Sequence, residues 1–191
     1  IIPYFAYARA DKRHGRREPV TASMVAQLLQ VLGVDQVVTV DLHAPQIEGF
    51  FHVPVDNLTA VSPLCEALRP QLADDTVIVA PDAGRVKLTT RYADKLDMPV
   101  AVLHKQRHSG TKTTVTHLVG DVENHPCLII DDMIDTAGTL TKAAAMMMEH
   151  GAKSVRACCT HPVLSGPAHE RIENSVLTEL VVTDTIPLAQ E

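Results

Sequence analysis

The sequence predicts an α/β fold in which a parallel β-sheet is flanked by helices. Two observations carry this prediction: short apolar runs typical of buried strands, and stretches of helical periodicity that alternate with most of them. Alternation of strand and helix is the pattern of βαβ units, which build parallel sheets. The predicted strands are 34–42, 76–82, 98–105, 127–132 and 154–161.

The predicted helices are recognised by their apolar faces and by the residues that flank them. The helix at 22–32 follows Pro19 and Thr21 and ends before Gly33. Two more are predicted at 62–72 and 86–96. A fourth helix ends before Gly151, and its apolar face contains Leu140, Ala143, Ala144, Met147 and Met148.

Polar or charged residues stand where each predicted strand ends. In open α/β sheets, ligands bind outside the carboxyl ends of the strands, so these tips are the expected place for chemistry. A purely structural sheet edge would contain more Gly, Ser and Asn. The tips are 41–43, 81–84, 104–107, 131–132 and 160–161.

The stretch from Cys127 to Ala152 predicts a phosphate site at a strand-to-helix turn. Gly138 allows the backbone to approach a ligand, while Thr136, Thr139 and the N–H groups of the first helical turn form an anion cradle. Asp131 and Asp132 are poor phosphate ligands but good acceptors for sugar hydroxyls, or for Mg²⁺ that keeps its waters. The combination indicates a phosphorylated sugar.

A simpler alternative is that Asp131, Asp132 and Asp135 only cap a helix and solvate a loop. Three carboxylates joined to a T-x-G-T turn make this less favoured than a binding site. A nucleotide P-loop is excluded, because the turn lacks the G-x-x-x-x-G-K-[ST] pattern and contains no lysine.

Composition describes an ordinary globular protein of 191 residues, with 46% hydrophobic and 21% charged residues. A net charge of −6 argues against a nucleic-acid surface, and no apolar run has transmembrane length, so no nucleic acid, no membrane and a cytoplasmic location are expected. The chain begins at Ile1 inside an apolar run, which suggests a fragment of a longer protein. Buried reduced thiols are expected at Cys65, Cys127, Cys158 and Cys159.

Other polar clusters have simpler interpretations. The ten histidines contain no H-E-x-x-H pattern, and the pair His104 and His108 straddles a loop-like stretch. The basic segment 9–18, taken alone, favours a solvated surface.

Several longer motifs resemble those of the ribose-phosphate pyrophosphokinase family. They are "IPYFAYARADKR", "TVDLHAPQIEGFFHVPVDNL", "APDAGR", "IIDDMIDTAGT", "HPVLSGPAHERIENS" and "VVTDTIPL". The resemblance implies two phosphoribosyltransferase-like domains per full subunit, with 1–55 the latter part of the first and 56–191 most of the second. It also implies the use of Mg²⁺ and transfer of the pyrophosphoryl group of ATP to ribose 5-phosphate by a homo-oligomer, commonly a hexamer.

The same resemblance assigns roles to individual residues. Asp135, Thr136, Ala137, Gly138 and Thr139 match the 5-phosphate site, and Asp131 with Asp132 match the ribose-hydroxyl contacts. Arg9, Asp11 and His43 match ATP contacts, His43 and Asp82 match Mg²⁺ ligands, and Lys105 and Arg107 match a mobile catalytic loop.

Three positions depart from the family pattern. Ala10 replaces a common glutamine, Gln106 replaces a common arginine, and Arg85 replaces a second glycine after Gly84. Two alternatives to the synthetase remain open, an ordinary phosphoribosyltransferase and a non-catalytic regulatory subunit. The "DLHAPQIEGFF" segment argues against the first. The second is disfavoured by the presence of four residues, Lys105, Arg107, His43 and Asp82.

Overall fold

The computed structural model describes residues 1–13, 15–107 and 114–188, and these divide into two compact units. One unit comprises Ile1–Ala60 together with the segment from Thr185 onward, and the other comprises Val61–Asp184. In the described residues, no helix combines the length and the apolar character needed to cross a membrane.

The first unit contains helix α1 (Thr21–Val31) and a parallel pair of strands, β1 (Val37–Val40) and β2 (Val55–Leu58). A 3₁₀ turn at Pro45–Phe50 connects the two strands and buries Ile47 completely. The core of the first unit also contains an edge-to-face contact between Phe5 and Phe51, whose ring centroids lie 5.8 Å apart.

The second unit is a six-stranded sheet with helices between most of its strands. Along the chain its elements are α2 (Val61–Leu68), β3 (Val77–Ala80), α3 (Val86–Leu96), β4 (Val100–Arg107), β5 (Thr114–Val119), β6 (Pro126–Ile134), α4 (Gly138–Glu149), β7 (Ser154–Pro162), α5 (Ala168–Glu173) and β8 (Leu177–Val182). The strand order is β5-β4-β3-β6-β7-β8, and all neighbours are parallel except β4 and β5.

The core of the second unit is built from the apolar runs that the sequence marks as strands. All four residues of β3 are buried, and so is the run Cys127–Ile130 of β6. Strands that are covered on both faces read as continuous apolar segments, which explains why the sequence shows no alternation there. From α4, Leu140, Ala143, Ala144 and Met147 pack into this core.

Several predicted elements differ from the observed ones. The strand β1 pairs with β2 in a sheet of its own rather than joining the other predicted strands. The helix predicted at 62–72 ends as an α-helix at Leu68 and continues as a 3₁₀ turn containing Pro70, which lacks an N–H group to donate. Strands β2, β5 and β8 and helix α5 were not predicted.

Three predicted strand tips lie inside strands, and one of them, 104–107, belongs to β4. Asp131 and Asp132 belong to β6, which runs on to Ile134 because its pairing with β7 continues as far as Pro162. Thr160 and His161 belong to β7 and are buried. The prediction of buried free thiols is confirmed for all four cysteines.

Candidate functional site

The turn from β6 to α4 contains the residues predicted to hold a phosphate. Ala137 precedes the helix with a left-handed backbone (φ 59°, ψ 1°), and its carbonyl accepts the Thr141 N–H at 2.9 Å. Left-handed backbone is unfavourable for alanine, so neighbouring contacts must hold the turn. The N–H groups of the first helical turn have no partners within the helix, and the helix dipole favours an anion there.

Contacts from the chain after β7 hold this turn in place. The Ser165 N–H donates to the Asp135 carbonyl at 3.0 Å, and the Ser165 hydroxyl donates to the Asp135 carboxylate. Asp135 is therefore engaged in shaping the turn, with its side chain directed at the chain after β7.

Arg171, on α5, is a further contact that the sequence analysis did not single out. Its Nη1 donates to the Thr136 carbonyl at 2.9 Å. A Cβ atom added to Gly138 would lie 3.3 Å from the same Nη1, so the missing side chain makes room for the guanidinium. Gly138 does not have a positive φ, and Ala137 is the residue with the unusual backbone. The only sequence signal for Arg171 was its place in the motif "HPVLSGPAHERIENS".

Asp131 and Asp132 lie on β6 just before the turn and are bonded to the strand backbone. The Asp132 N–H donates to Asp131 Oδ1, and the Met133 N–H donates to Asp132 Oδ1, both at 2.9 Å. The Asp132 side chain is 5% exposed and that of Asp131 is 21% exposed. The two carboxylates are thus held in place, and Asp131 is the more accessible to a ligand.

Arg85, at the end of the 3₁₀ turn Ala83–Arg85, pairs with both carboxylates. Its Nε lies 3.6 Å from Asp131 Oδ1, and its Nη1 lies 3.2 Å from Asp132 Oδ2. Burial raises the pKa of Asp131 well above its ordinary value, and the adjacent Asp132 raises this pKa further, while the Arg85 charge lowers it. Arg85 departs from the family pattern, and its contacts could not be predicted because its partners lie about 45 residues away in the sequence.

Asp82, a predicted Mg²⁺ ligand, caps the same turn. Its Oδ1 accepts the Gly84 N–H at 2.8 Å. A partly exposed single carboxylate suits a cation that keeps most of its waters, which is how Mg²⁺ commonly binds. In the part of the chain that the structure describes, no group of three His, Cys, Asp or Glu side chains could enclose a metal ion.

Lys105 and Arg107, the predicted catalytic cations, lie on β4 and not on a loop beyond its tip. They pair through the backbone with Thr116 and Thr114 of β5. The strand continues because the antiparallel partner β5 supplies hydrogen-bonding groups along this edge. Residues 108–113, the rest of the predicted catalytic loop, lie outside the described residues.

The predicted ATP contacts all belong to the first unit. Arg9 lies in the 3₁₀ turn Ala8–Ala10 and lines a pocket of about 770 Å³ together with Tyr4, Tyr7 and Lys12. Asp11 is buried, and its carboxylate accepts a hydrogen bond from the Gln46 side chain.

His43, the fourth residue assigned to ATP or metal, lies between β1 and the 3₁₀ turn Pro45–Phe50 and is partly exposed. It belongs to the first unit, whereas the residues predicted to bind the sugar phosphate belong to the second. Within the second unit, the structure brings together Asp131, Asp132 and the turn 135–139, and adds Arg85 and Arg171.

The parallel sheet and the turn at its edge define an α/β domain whose family is identified by comparison with known proteins. The chain belongs to the phosphoribosyl transferase domain family, which matches residues 55–187. Residues 1–33 match the N-terminal domain of ribose phosphate pyrophosphokinase. The predicted fold class is confirmed.

Individual relatives are more specific. Over all 191 residues the chain is 51% identical to a ribose-phosphate pyrophosphokinase of Halalkalibacterium halodurans and 49% identical to that of Bacillus subtilis, covering 60% of each relative. The crystal structure of phosphoribosylpyrophosphate synthetase from Mycobacterium smegmatis matches 98% of this chain and 61% of its own, with a TM-score of 0.91 and 43% identity. The resemblance to this family is confirmed, and the chain spans about 60% of the length of these curated relatives.

Proposed function

We propose that this chain is part of a ribose-phosphate pyrophosphokinase, which transfers the pyrophosphoryl group of ATP to the 1-hydroxyl of ribose 5-phosphate. The observation that carries the proposal is the turn at 135–139, preceded by two fixed carboxylates and held by Ser165 and Arg171. The names of the full-length relatives support the reaction.

Ribose 5-phosphate binds at the turn in this proposal. Its phosphate accepts the N–H groups of Gly138 and Thr139 and the threonine hydroxyls, with the helix dipole favouring its charge. Asp131 and Asp132 accept hydrogen bonds from the ribose hydroxyls. Two separated contact points fix the sugar, and this orients its 1-hydroxyl for reaction.

In the transfer step, the 1-hydroxyl oxygen bonds to the β-phosphorus of ATP. The bond from that phosphorus to the oxygen bridging the α-phosphate breaks, and AMP leaves with the electron pair while the hydroxyl proton passes to solvent. Lys105 and Arg107 stabilise the negative charge on the transferring oxygens. Asp82 and His43 are the residues proposed as Mg²⁺ ligands, and the ion would supply positive charge to the polyphosphate of ATP.

The remaining assignments concern the whole enzyme. Arg9, Asp11 and His43 contact ATP, residues 1–55 are the latter part of the first domain, and residues 56–191 are most of the second. A cytoplasmic homo-oligomer, a hexamer as in related enzymes, is the expected assembly. The −6 charge of the chain is consistent with small anionic substrates held by local cations and backbone groups rather than with nucleic acid.

The reaction is tested by incubating the full-length protein with Mg-ATP and ribose 5-phosphate and measuring AMP and phosphoribosyl pyrophosphate. We expect the two products in equal amounts. A phosphoribosyltransferase would form neither from these substrates, and a regulatory subunit would bind the sugar phosphate without turnover. Either result would refute the proposed reaction.

A further inference from the structure

The position of Arg85 follows from the geometry of two neighbouring strands. Strand β3 lies beside β6 in the sheet, and the turn that leaves β3 is capped by Asp82 and closed by a bond from the Arg85 N–H to the Asp82 carbonyl at 3.2 Å. The carboxyl ends of parallel neighbours lie at the same edge, so the turn places Arg85 beside the carboxylates of β6. Its side chain is only 16% exposed, which means that the guanidinium lies against them rather than in solvent.

The Asp131 and Asp132 carboxylates need a nearby positive charge. They are consecutive, their side chains are 21% and 5% exposed, and each accepts a backbone N–H from the strand at 2.9 Å. A guanidinium carries one fixed charge and several planar donors, and here it contacts both groups at 3.6 and 3.2 Å. Arg85 therefore supplies the compensating charge.

Arg85 would compete with a divalent cation for these carboxylates. Mg²⁺ requires near-octahedral coordination with oxygen atoms at about 2.0–2.1 Å and would be repelled by a guanidinium on the same oxygens. Removal of Arg85 would leave two fixed, adjacent carboxylates of the kind that hard cations bind.

We propose that Arg85 takes the place of a divalent cation at Asp131 and Asp132, so that this chain binds the ribose hydroxyls there without metal. The proposal rests on the proposed function for its sugar ligand. Mg²⁺ needed in the reaction acts at another position, with Asp82 the candidate in the same unit. Arg85 is thus the residue that determines which cation accompanies the sugar.

The test compares the wild-type protein with Arg85→Gly and with the triple variant Arg85→Gly, Asp131→Asn, Asp132→Asn. Mn²⁺ is titrated without sugar, and bound metal is followed by electron paramagnetic resonance. We expect Arg85→Gly to gain one Mn²⁺ site per chain, at least tenfold tighter than anything the wild type binds at this pair, and the triple variant to lose it. Mn²⁺ sites elsewhere, including any at Asp82, are common to all three proteins and do not contribute to the difference between them.

A second measurement is the affinity for ribose 5-phosphate with and without Mg²⁺. We expect less than a twofold effect of Mg²⁺ on the wild type and at least a fivefold increase in affinity for Arg85→Gly. Arg85→Lys, which keeps a charge, should gain no Mn²⁺ site, and circular dichroism checks that all variants are folded. Absence of a new Mn²⁺ site in folded Arg85→Gly, or Mn²⁺ at Asp131 and Asp132 in the wild type, would overturn the proposal. Failure of every variant to bind the sugar would instead refute the proposed function, because the Mn²⁺ titration does not depend on it.

Discussion

Replacing Arg171 with methionine tests whether this α5 side chain holds the turn at 135–139 in the conformation that binds phosphate. The Arg171 Nη1 donates to the Thr136 carbonyl at 2.9 Å and lies beside Gly138. Methionine keeps most of the length of the side chain but removes the charge and the donors. We expect a weaker phosphate site in a protein that is still folded.

The magnitude follows from the hydrogen bond. Bonds that involve a charged group contribute about 1.5–3 kcal/mol, and the lower end applies here because Arg171 is exposed. Part of this free energy keeps Ala137 in its left-handed conformation before any ligand binds. Without the bond, part of the free energy of phosphate binding is spent on ordering the turn. A loss of about 1.4 kcal/mol of binding free energy corresponds to a tenfold higher dissociation constant.

Calorimetric titration of inorganic phosphate and of ribose 5-phosphate measures this effect. Lys142→Met is a matched control, because it removes one positive charge from an exposed position of α4, the helix that begins at the turn. We expect roughly a tenfold loss for Arg171→Met and less than twofold for Lys142→Met. Unchanged phosphate affinity in Arg171→Met, or equal losses in the two variants, would refute the reasoning.

Two further predictions concern catalysis and thiol reactivity. Lys105→Ala and Arg107→Ala should each lower turnover by about 3 kcal/mol of transition-state stabilisation, with little change in ribose 5-phosphate affinity, and steady-state kinetics showing near-normal turnover would contradict a catalytic role. Burial raises the pKa of Cys127 from 9.0 to about 11, so at pH 8 roughly one thiol in a thousand is ionised and native alkylation should be slow. The pKa of Cys127 is higher in the folded protein than in the unfolded chain, so the neutral thiol makes its full contribution to folding stability below pH 9.0. This contribution is lost as the pH rises through about 11. Alkylation should therefore accelerate about tenfold per pH unit up to that value, and fast reaction of native protein at pH 8 would show that the thiol is accessible.

The buried strands and long helices could be predicted because their signals are local. The run Cys127–Ile130 is apolar throughout, and α4 repeats its apolar face over three turns. The elements that were missed lack such signals. Strand β5 is an edge strand without a regular alternation of polar and apolar residues, and α5 has only six residues, too few for a clear periodicity.

The same contrast holds for the candidate site. The residues from Asp131 to Thr139 are consecutive, so their order along the chain was enough to indicate a strand, a turn and an anion-binding helix start. Arg85 and Arg171 reach that segment from other connections of the sheet, and their contacts depend on which strands are neighbours. Strand order is set by packing of the whole sheet and leaves no mark in the local pattern.

The sequence by itself therefore determined the alternation of strands and helices and the position of the turn after the fourth predicted strand, because both follow from side chains that are close in the chain. Only the tertiary structure decided that Asp131 and Asp132 share the Arg85 guanidinium, that Arg171 holds the Thr136 carbonyl, and that Lys105 lies on a strand. Ion pairs and strand pairing join residues that are distant in sequence. They form only where folding brings the partners within a few ångströms, and the free energy that selects them is that of the packed sheet.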